Sequence, residues 1–370
     1  MPLTVEGTVA PGFEQVAEVF LAGGDPAQCC AHVGGEPVID LWRGRSGEEV
    51  QVVFSATKGA TAACANLLVQ RGLLDLDAPV TRYWPGYARR GKGSTLVRWL
   101  LSHRSGVLAP EPGLTFEDVL DWGAVTEALA AAAPAWEPGS AYGYHAQSFG
   151  WLVGELVRRV DGRGLGRFFA EEVAGPAGAD FWIGLPEAEE HRLARVVSHQ
   201  PAPDALGDVD LSQFISPHLM PAFTLNGALP GDTAAAAEDR RFRAAEIGAS
   251  GGVSNARGLS RLYSWLLDEF TPDTLADVLR PETSGPDQVL STPAMPVEQR
   301  FGRGFVLPRR DGTPAGAPTF GHGGAGGTTA FADPGRRLTF AYTTTELVPG
   351  PPGLDARVEP VVRALYAALG

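Results

Sequence analysis

The order of secondary-structure patterns along the chain predicts an α+β fold in which both ends of the chain build one lobe. Near the N-terminus a helical pattern over residues 11–22 precedes two β-like runs, and the C-terminal part consists of short β-rich runs closed by a helix. Between them the chain is mostly helical patches interrupted by proline and glycine. We therefore predict an α+β lobe formed by residues 1–75 and 246–370, with a mainly helical lobe of residues 76–245 inserted.

The individual elements follow from periodicity and turn residues. Gly34-Gly35 separates the β-like runs Cys29–Val33 and Pro37–Trp42, a spacing typical of a hairpin. A long helix is predicted from just after Ser55 to about Leu73. Shorter helical patches in the central part are predicted at Leu96–Ser102, Thr115–Leu120, Ala124–Ala133 and Gln147–Val160. The C-terminal elements are the predicted strands Phe301–Leu307, Thr319–His322, Thr328–Asp333 and Leu338–Thr345, and a final helix at about Leu354–Leu369.

The most informative residue for function is Lys58, because the chain contains only two lysines beside 28 arginines (30 basic residues minus 2). Arginine cannot release its proton in a protein, whereas lysine can. Lys58 follows Ser55 by three residues, so a helix would place both side chains on one face. A helix start at Ser55 would also favour an oxyanion there. The pattern indicates a serine nucleophile with a lysine base; the simpler interpretation is a helix cap and a solvated lysine.

Two further segments carry candidate partners for this pair. Tyr144 follows a Pro-Gly turn and precedes an amphipathic helix, so a loop would present its phenol as a general acid or base. Tyr142 is a rival for the same role, and an aromatic packing residue is the alternative for both. His322 lies in Phe320–Gly327, whose five glycines let the backbone approach a ligand and offer N–H groups to an oxyanion; the alternative is a plain glycine-rich turn.

These motifs occur in a characteristic order: Ser55-Ala-Thr-Lys58, then Pro138-Gly-x4-Tyr144, then His322-Gly-Gly in the C-terminal strands. With them and the stretch Leu100–Gly106, the chain resembles the serine β-lactamase and penicillin-binding-protein superfamily. It is nearest to the class C-like branch that includes the family VIII carboxylesterases. The resemblance extends from about residue 12 to the C-terminus. It implies a β-lactamase/transpeptidase-like α+β fold, with an antiparallel sheet flanked by helices and an inserted helical lobe.

The resemblance also implies roles for the site residues. Ser55 would be the acylated nucleophile, and Lys58 would take its proton or hold Tyr144 in the active state. Tyr144 would relay protons to the leaving group and later from the deacylating water. The backbone N–H groups of Ser55 and Ala325 would form the oxyanion hole. The implied activity is that of a carboxylesterase acting on a small-molecule ester without a cofactor.

Two departures from the family pattern bear on the substrate. His322, followed by Gly323 and Gly324 at the expected substrate-binding edge, stands where β-lactamases and transpeptidases carry a lysine suited to a substrate carboxylate. A histidine with a pKa of about 6.5 is mostly neutral in neutral solution. Ala146 stands two residues after Tyr144, where many members have an asparagine that helps bind an amide side chain. Both departures favour neutral esters over penicillins or peptidoglycan.

A competing serine motif, Gly248-Ala-Ser250-Gly-Gly, matches the Gly-x-Ser-x-Gly sequence of α/β-hydrolases. That motif needs a buried apolar strand before the serine, but the preceding segment 237–247 is charged. Ser250 is therefore a poor candidate nucleophile. We interpret the segment as a flexible glycine-rich loop that borders the active cleft and leads into a helix at Arg257–Leu267.

Bulk composition argues against several classes of partner. The 370 residues carry a net charge of −13, which disfavours nucleic acid or an anionic membrane as the main partner. The N-terminus shows no basic region or apolar run of a secretory signal, and no stretch of about 18 apolar residues predicts a membrane span. Cys29, Cys30 and Cys64 have no partners at metal-ligand spacing, so we expect core thiols in a cytoplasmic protein without a metal site.

Three alternatives to an esterase stay open on the sequence. A β-lactamase or D-amino-acid peptidase would share the nucleophile but bind different substrates. An acyltransferase or cyclising thioesterase would pass the acyl group to an acceptor other than water. A non-catalytic binding protein is disfavoured because Ser55, Lys58 and Tyr144 are all present. The patterns do not encode acyl length or oligomeric state.

Overall fold

The structure, a computed structural model, describes residues 4–199, 215–292, 294–308, 316–348 and 355–370. Its strands are β1 (Val5–Val9), β2 (Ala27–Val33), β3 (Glu36–Arg43), β4 (Gln51–Val52), β5 (Phe181–Trp182), β6 (Val197–Ser198), β7 (Val253–Ser254), β8 (Arg300–Phe301), β9 (Val306–Leu307), β10 (Phe320–Gly323), β11 (Thr329–Asp333), β12 (Leu338–Thr344) and β13 (Glu346–Leu347). Its helices are α1 (Glu14–Ala22), α2 (Thr57–Gln70), α3 (Val97–Leu101), α4 (Phe116–Val119), α5 (Trp122–Ala131), α6 (Ser148–Asp161), α7 (Leu165–Phe169), α8 (Gly175–Ala177), α9 (Leu219–Thr224), α10 (Thr233–Glu238), α11 (Arg240–Ala244), α12 (Ala256–Glu269), α13 (Pro272–Val278) and α14 (Glu359–Leu369).

Eight strands form one antiparallel sheet, in the order β1-β3-β2-β12-β11-β10-β9-β8. The predicted hairpin is present, since β2 and β3 pair on either side of Gly34-Gly35, with Cys29 opposite Leu41. Strand β12 pairs with β2 and places Ala341 opposite Cys30, so strands from both ends of the chain lie side by side. This arrangement confirms the predicted α+β class and its antiparallel sheet.

Successive side chains of a strand point to opposite faces of the sheet, and the central strands carry apolar residues on both faces. Helices therefore cover both faces of the sheet. On one face, Phe20 of α1 and Leu365 of α14 belong to the same buried cluster as Cys29. On the other face, Cys30 belongs to the larger core that includes α2, α6 and α12. Cys64 is buried as well, so the three cysteines are free core thiols, as predicted.

The helical patches predicted for the central part occur as α3, α4, α5 and α6, close to their predicted bounds. The last helix begins at Glu359, later than predicted, with Pro360 in its first turn; the predicted start at residue 354 lies outside the described residues. Strands β4, β5 and β7 form a separate small sheet that was not predicted, because two-residue strands carry no periodicity. The division into lobes at residues 75/76 and 245/246 stays a prediction. No helix in the described part of the chain has the length and apolar character needed to cross a membrane.

Candidate active site

Ser55 lies in a tight turn between β4 and α2. After β4 pairs with β7, the Val53 N–H donates to the Gly252 carbonyl oxygen at 2.9 Å. Phe54 has a φ of 47°, a left-handed conformation that is costly for residues other than glycine. The Thr57 hydroxyl donates to the Phe54 carbonyl at 2.5 Å and accepts the Gly252 N–H at 2.9 Å. These contacts fix the strained turn that carries Ser55 into the first residues of the helix.

The Lys58 side chain is completely buried and its amine contacts Ser55. Lys58 Nζ lies 3.1 Å from Ser55 Oγ and 3.0 Å from the Ala249 carbonyl oxygen. Burial lowers the pKa of Lys58 well below its usual range, because the ammonium loses its hydration. In the neutral amine, an N–H can donate to Ala249 while the lone pair faces the serine hydroxyl. The arrangement suits a base that takes the serine proton.

The second partner of Lys58 comes from the Gly-x-Ser-x-Gly segment. A Cβ added to Gly150 of α6 would lie 2.4 Å from the Ala249 nitrogen, so the helix and the segment pack backbone to backbone. The Gly248 carbonyl also accepts the Thr61 hydroxyl of α2 at 2.6 Å. The segment borders the Ser55–Lys58 pair and leads into α12, as predicted, but it is buried throughout, which disagrees with a flexible loop. Its glycines allow close packing between α2 and α6.

The Ser250 hydroxyl makes a hydrogen bond away from Lys58. Its hydroxyl is buried and donates to the Gln147 side-chain oxygen at 2.7 Å. The preceding Arg240–Ala244 form helix α11, whereas a nucleophile elbow requires a strand before the serine. This setting agrees with the low rank that the sequence gives to Ser250.

Tyr144 lies beside the Lys58 amine, whose nitrogen is 4.8 Å from the centroid of the tyrosine ring. The ring stacks on Phe301 with centroids 6.0 Å apart and an interplanar angle of 4°, and His103 lies 5.2 Å away. Burial raises the pKa of Tyr144 above its usual range, and a hydrogen bond with Ser55 opposes that shift. The phenol is therefore protonated at neutral pH and can donate a proton.

The rival Tyr142 has its hydroxyl committed to a neighbouring loop. That hydroxyl donates to the Gly285 carbonyl at 2.6 Å and accepts the Gln299 N–H at 3.2 Å. Both contacts are to backbone atoms, so this hydroxyl anchors the backbone at Gly285 and Gln299. Of the two tyrosines, Tyr144 is the one that lies at the Ser55–Lys58 pair.

His322 of β10 is a buried, neutral imidazole next to the same group. Its Nδ1 lies 2.7 Å from the Gly323 carbonyl, which can only accept, so the ring hydrogen is on Nδ1. Burial, and secondly the charge of Lys58, lower the pKa of His322 to about 3. Its ring centroid is 6.1 Å from that of Tyr144. The site thus has an uncharged residue at the position where the family pattern expects a cation.

The turn after β10 approaches the turn that carries the nucleophile. A Cβ added to Gly324 would lie 2.2 Å from the Val53 carbonyl oxygen, so the two backbones are in contact. A single 3-10 turn, Ala325–Gly327, follows directly. This placement is suitable for an oxyanion hole made by the N–H groups of Ser55 and Ala325, an assignment that stays a prediction.

Two buried residues next to Tyr144 escaped the sequence reasoning. His103 accepts the His145 N–H at its Nδ1 at 3.1 Å, and Asp287 accepts the Tyr144 N–H at its Oδ1 at 3.1 Å. Both side chains are completely buried. A signal existed for His103, which lies in the stretch Leu100–Gly106 that carries part of the family resemblance. Asp287 follows a Gly-Pro pair in a loop and belongs to no motif.

Known proteins are similar to this chain over most of its length. The sequence profile of the Beta-lactamase family matches residues 27–362. The chain belongs to the beta-lactamase family. This beta-lactamase-family protein is 32% identical over 369 residues to the "Esterase/beta-lactamase LipL" of Mycobacterium tuberculosis, covering 93% of this chain and 83% of that relative.

Solved structures show the same fold as this beta-lactamase-family chain. A family VIII carboxylesterase matches with a TM-score of 0.87 and 33% identity, over 99% of this chain and 100% of that chain. A penicillin-binding-protein homologue from Caulobacter crescentus matches with a TM-score of 0.86 and 30% identity, over 99% of this chain and 100% of that chain. The predicted family resemblance and β-lactamase/transpeptidase-like fold are confirmed, and the protein is an enzyme of the hydrolase class.

Proposed function

We propose that this beta-lactamase-family enzyme hydrolyses carboxylic esters through an acyl-enzyme on Ser55. The observation that carries the proposal is the 3.1 Å contact between Lys58 Nζ and Ser55 Oγ, with the lysine side chain completely buried. Because burial lowers the pKa of Lys58, a neutral amine is available to accept the serine proton. A solvated lysine at the same spacing would keep its proton and could not act in this way.

In the acylation step, Ser55 Oγ bonds to the ester carbonyl carbon while its proton moves to Lys58 Nζ. The negative charge that develops on the carbonyl oxygen is held by the N–H groups of Ser55 and Ala325, and each such donor typically contributes about 3 kcal/mol. Collapse of the intermediate breaks the bond to the alcohol oxygen, which leaves with the proton of the Tyr144 hydroxyl. Lys58 then returns its proton to the phenolate and is neutral again.

In the deacylation step, water attacks the acyl carbon of the Ser55 ester. Its proton passes through the Tyr144 hydroxyl to the neutral Lys58 amine, so a proton moves in the reverse direction from acylation. The bond between the acyl carbon and Ser55 Oγ then breaks, and the serine oxygen recovers the proton from Lys58. The products are the carboxylic acid and the resting enzyme.

The side chains around the pair support a neutral ester as substrate. His322 is uncharged, so it offers no counter-ion for a substrate carboxylate. Ala146 has only a methyl group at the position where an asparagine would bind an amide. Tyr144 lies in a mainly apolar cluster, and Phe223 lies 6.0 Å from its ring. These features favour an apolar acyl or alcohol group over a peptide-like one.

Turnover of β-lactams is a second candidate, favoured by one observation. LipL, a relative of this chain, carries both activities in its name, esterase and beta-lactamase, and matches 93% of this chain. A β-lactam presents a strained amide carbonyl to the same nucleophile, so the same acylation step applies. The neutral His322 is expected to make this reaction slower than ester hydrolysis, because β-lactam antibiotics bear a carboxylate.

The test is hydrolysis of a chain-length series of p-nitrophenyl esters beside nitrocefin, with wild type, Ser55→Ala and Ser250→Ala. We expect Ser55→Ala to lose at least about a thousandfold in kcat/KM, and Ser250→Ala to stay within about tenfold of wild type. The reverse outcome would identify Ser250 as the nucleophile. A higher kcat/KM for nitrocefin than for every ester would favour β-lactam hydrolysis over ester hydrolysis as the function. Product analysis with an added alcohol detects acyl transfer in place of hydrolysis.

A further inference from the structure

Three consecutive peptide N–H groups around Tyr144 each donate to an acceptor from a distant part of the chain. Gly143 and His145 both donate to His103, to its carbonyl oxygen and to its ring Nδ1 respectively, each at 3.1 Å. Tyr144 donates to Asp287 Oδ1, also at 3.1 Å. This loop is neither helix nor strand, so no regular ladder supplies acceptors for these buried groups. The two side chains fix the backbone on both sides of the tyrosine.

His103 is built for this contact in an unusual backbone conformation. Its φ is 58°, in the left-handed region where histidine, asparagine and aspartate occur more often than other non-glycine residues. Because Nδ1 accepts a hydrogen bond, the ring hydrogen is on Nε2. Burial lowers the pKa of His103 well below its usual range, so Nδ1 keeps its lone pair at neutral pH. The ring also packs 4.3 Å from Phe301 and 5.2 Å from Tyr144, so one residue contacts both the backbone and the ring of that loop.

Asp287 is a completely buried carboxylate with a single occupied oxygen. Its Oδ1 accepts N–H groups from Tyr144, Val289 and Leu290 at 3.1, 2.8 and 2.9 Å, while Oδ2 has no hydrogen-bond partner among the described residues. Burial raises the pKa of Asp287 to about 6, against the opposing effect of these N–H groups. A buried carboxylate costs more than a neutral acceptor, and its three N–H donors offset part of that cost. Beside burial, which has the largest effect, the charge of Asp287 raises the pKa of Tyr144 and helps keep the phenol protonated.

We propose that His103 and Asp287 are positioning residues for Tyr144, which hold the peptide groups of Gly143–His145 so that the phenol stays at the leaving group. The inference rests on the proposed proton-transfer role of Tyr144. The step that they support is proton donation to the departing alcohol oxygen. A p-nitrophenolate leaves readily without a proton, whereas an alkoxide does not. Displacement of Tyr144 will therefore impair alkyl esters far more than p-nitrophenyl esters of the same acid.

The first arm of the test measures kcat/KM for an ethyl ester and a p-nitrophenyl ester of the same acid. For Asp287→Ala we expect a loss of roughly 30-fold on the ethyl ester and less than about threefold on the p-nitrophenyl ester. Asp287→Asn keeps an Oδ1 acceptor for the three N–H groups and should bring the ethyl ester to within about threefold of wild type. The ratio of the two esters does not depend on the folded fraction, so a variant that folds poorly is still informative.

The second arm applies the same measurement to His103. His103→Leu removes the Nδ1 acceptor and should show the same ester-dependent loss as Asp287→Ala. His103→Asn supplies a side-chain oxygen and tolerates a left-handed φ, so it should recover most of the ethyl-ester activity. The matched control is Asp121→Ala, because the Asp121 side chain also accepts two successive N–H groups, at the beginning of α5. That variant should lose stability without changing the ratio of the two esters.

Equal losses on both esters in Asp287→Ala and His103→Leu, or wild-type activity in both, would overturn the inference. Tyr144→Phe separates this result from the proposed function. If Tyr144→Phe keeps its activity on the ethyl ester, the proton-transfer role of Tyr144 is wrong and the inference fails with it. If Tyr144→Phe loses about a hundredfold or more on that ester while the other variants keep the wild-type ratio, the proposed function stands and the positioning role alone is refuted.

Discussion

The two lysines of this enzyme lie in different surroundings. Lys58 and Lys92 both have 0% of their surface exposed. Lys92 Nζ donates to three carbonyl oxygens, those of Arg89 at 2.8 Å, Ala130 at 3.0 Å and Ala132 at 2.5 Å. Lys58 Nζ has one carbonyl and one hydroxyl within reach. The three protons of an ammonium all have acceptors at Lys92, whereas Lys58 has two such contacts among the described residues, one of them to a hydroxyl that can itself lose a proton.

The pKa values of Lys58 and Lys92 also differ. Burial, together with the charges of Arg89 and Arg90, lowers the pKa of Lys92 to about 8, so the ammonium persists at neutral pH. Burial lowers the pKa of Lys58 well below its usual range. Lys92 keeps its proton at neutral pH although none of its surface is exposed, so the absence of exposed surface alone does not turn a lysine into a base. The two amines also differ in the groups that they contact.

The largest expected effect is that of Lys58→Met on activity. The methionine fills a similar volume but cannot accept the serine proton, so kcat/KM for a p-nitrophenyl ester should fall about a thousandfold. The unfolding free energy in urea should equal or exceed that of wild type, because the cost of keeping a buried amine neutral is removed. Retention of more than a tenth of the activity would show that Lys58 is not the base.

The matching change at the other lysine should have the opposite profile. Lys92→Met removes the amine that donates to three carbonyl oxygens, of which those of Ala130 and Ala132 are in buried contacts, so the unfolding free energy in urea should fall by about 3 kcal/mol. The kcat/KM of the folded enzyme should stay within about twofold of wild type, because Lys92 makes none of its hydrogen bonds to a residue of the site. A loss of activity without a loss of stability would remove the distinction between the two lysines.

The contact between Lys58 and Ser55 could be predicted from the sequence, whereas the contacts of Lys92 could not. Ser55 and Lys58 are three residues apart at the start of one helix, so local geometry is sufficient to bring them together. The acceptors of Lys92 include Ala130 and Ala132, which lie 38 and 40 residues later. Their position depends on how α5 packs, which no local pattern encodes. For the same reason Asp287, 143 residues from Tyr144, could not be found.

The fold was predictable where periodicity is long enough to count. Strands β2 and β3 occur on either side of the predicted Gly-Gly turn, and each is longer than its predicted run, with seven and eight residues. The glycines of segment 248–252 led to the prediction of a flexible loop. A glycine that opens a turn and a glycine that permits close packing cannot be told apart in the sequence. The difference lies in a partner, Gly150 of α6, that the sequence places about a hundred residues away.

The shifted pKa of Lys58 also predicts how the stability difference between wild type and Lys58→Met depends on pH. Folded Lys58 binds its proton more weakly than the unfolded chain, in which lysine titrates at about 10.4. Between these two pKa values the unfolded chain holds more protons, so the unfolding free energy of wild type rises with pH by up to about 1.4 kcal/mol per unit. The variant lacks this contribution, and Lys92 titrates in both proteins.

Any stability advantage of Lys58→Met near neutral pH should therefore shrink as the pH is raised by about two units. Urea unfolding of both proteins at three or four pH values measures this difference. A difference that stays constant over that range would mean that folded Lys58 keeps its proton there as the unfolded chain does, and Lys58 would then be no better a proton acceptor than Lys92.

Arg357 sharpens the comparison, because it is a permanent cation that contacts carbonyls, as Lys92 does, but next to the active site. Its Nη2 donates to the Gly326 carbonyl at 2.6 Å and its Nη1 donates to the Glu346 carbonyl at 2.9 Å. Asp355 pairs with the same guanidinium at 2.8 Å. Gly326 belongs to the turn Ala325–Gly327, which would supply one oxyanion donor. Since arginine cannot release its proton, its contribution is expected to be the position of that turn.

The smallest expected effect is therefore that of Arg357→Met, which should lower kcat/KM about fivefold by loosening the turn. The loss should be the same for ethyl and p-nitrophenyl esters, since an oxyanion forms with both, in contrast to changes around Tyr144. Arg363→Met is the control, because Arg363 is 60% exposed and paired only with Glu359 among the described residues. Affinity for a boronic acid, which forms a tetrahedral adduct on the serine, should fall in proportion to kcat/KM. Unchanged affinity for the boronic acid would show that Arg357 does not position the oxyanion donors.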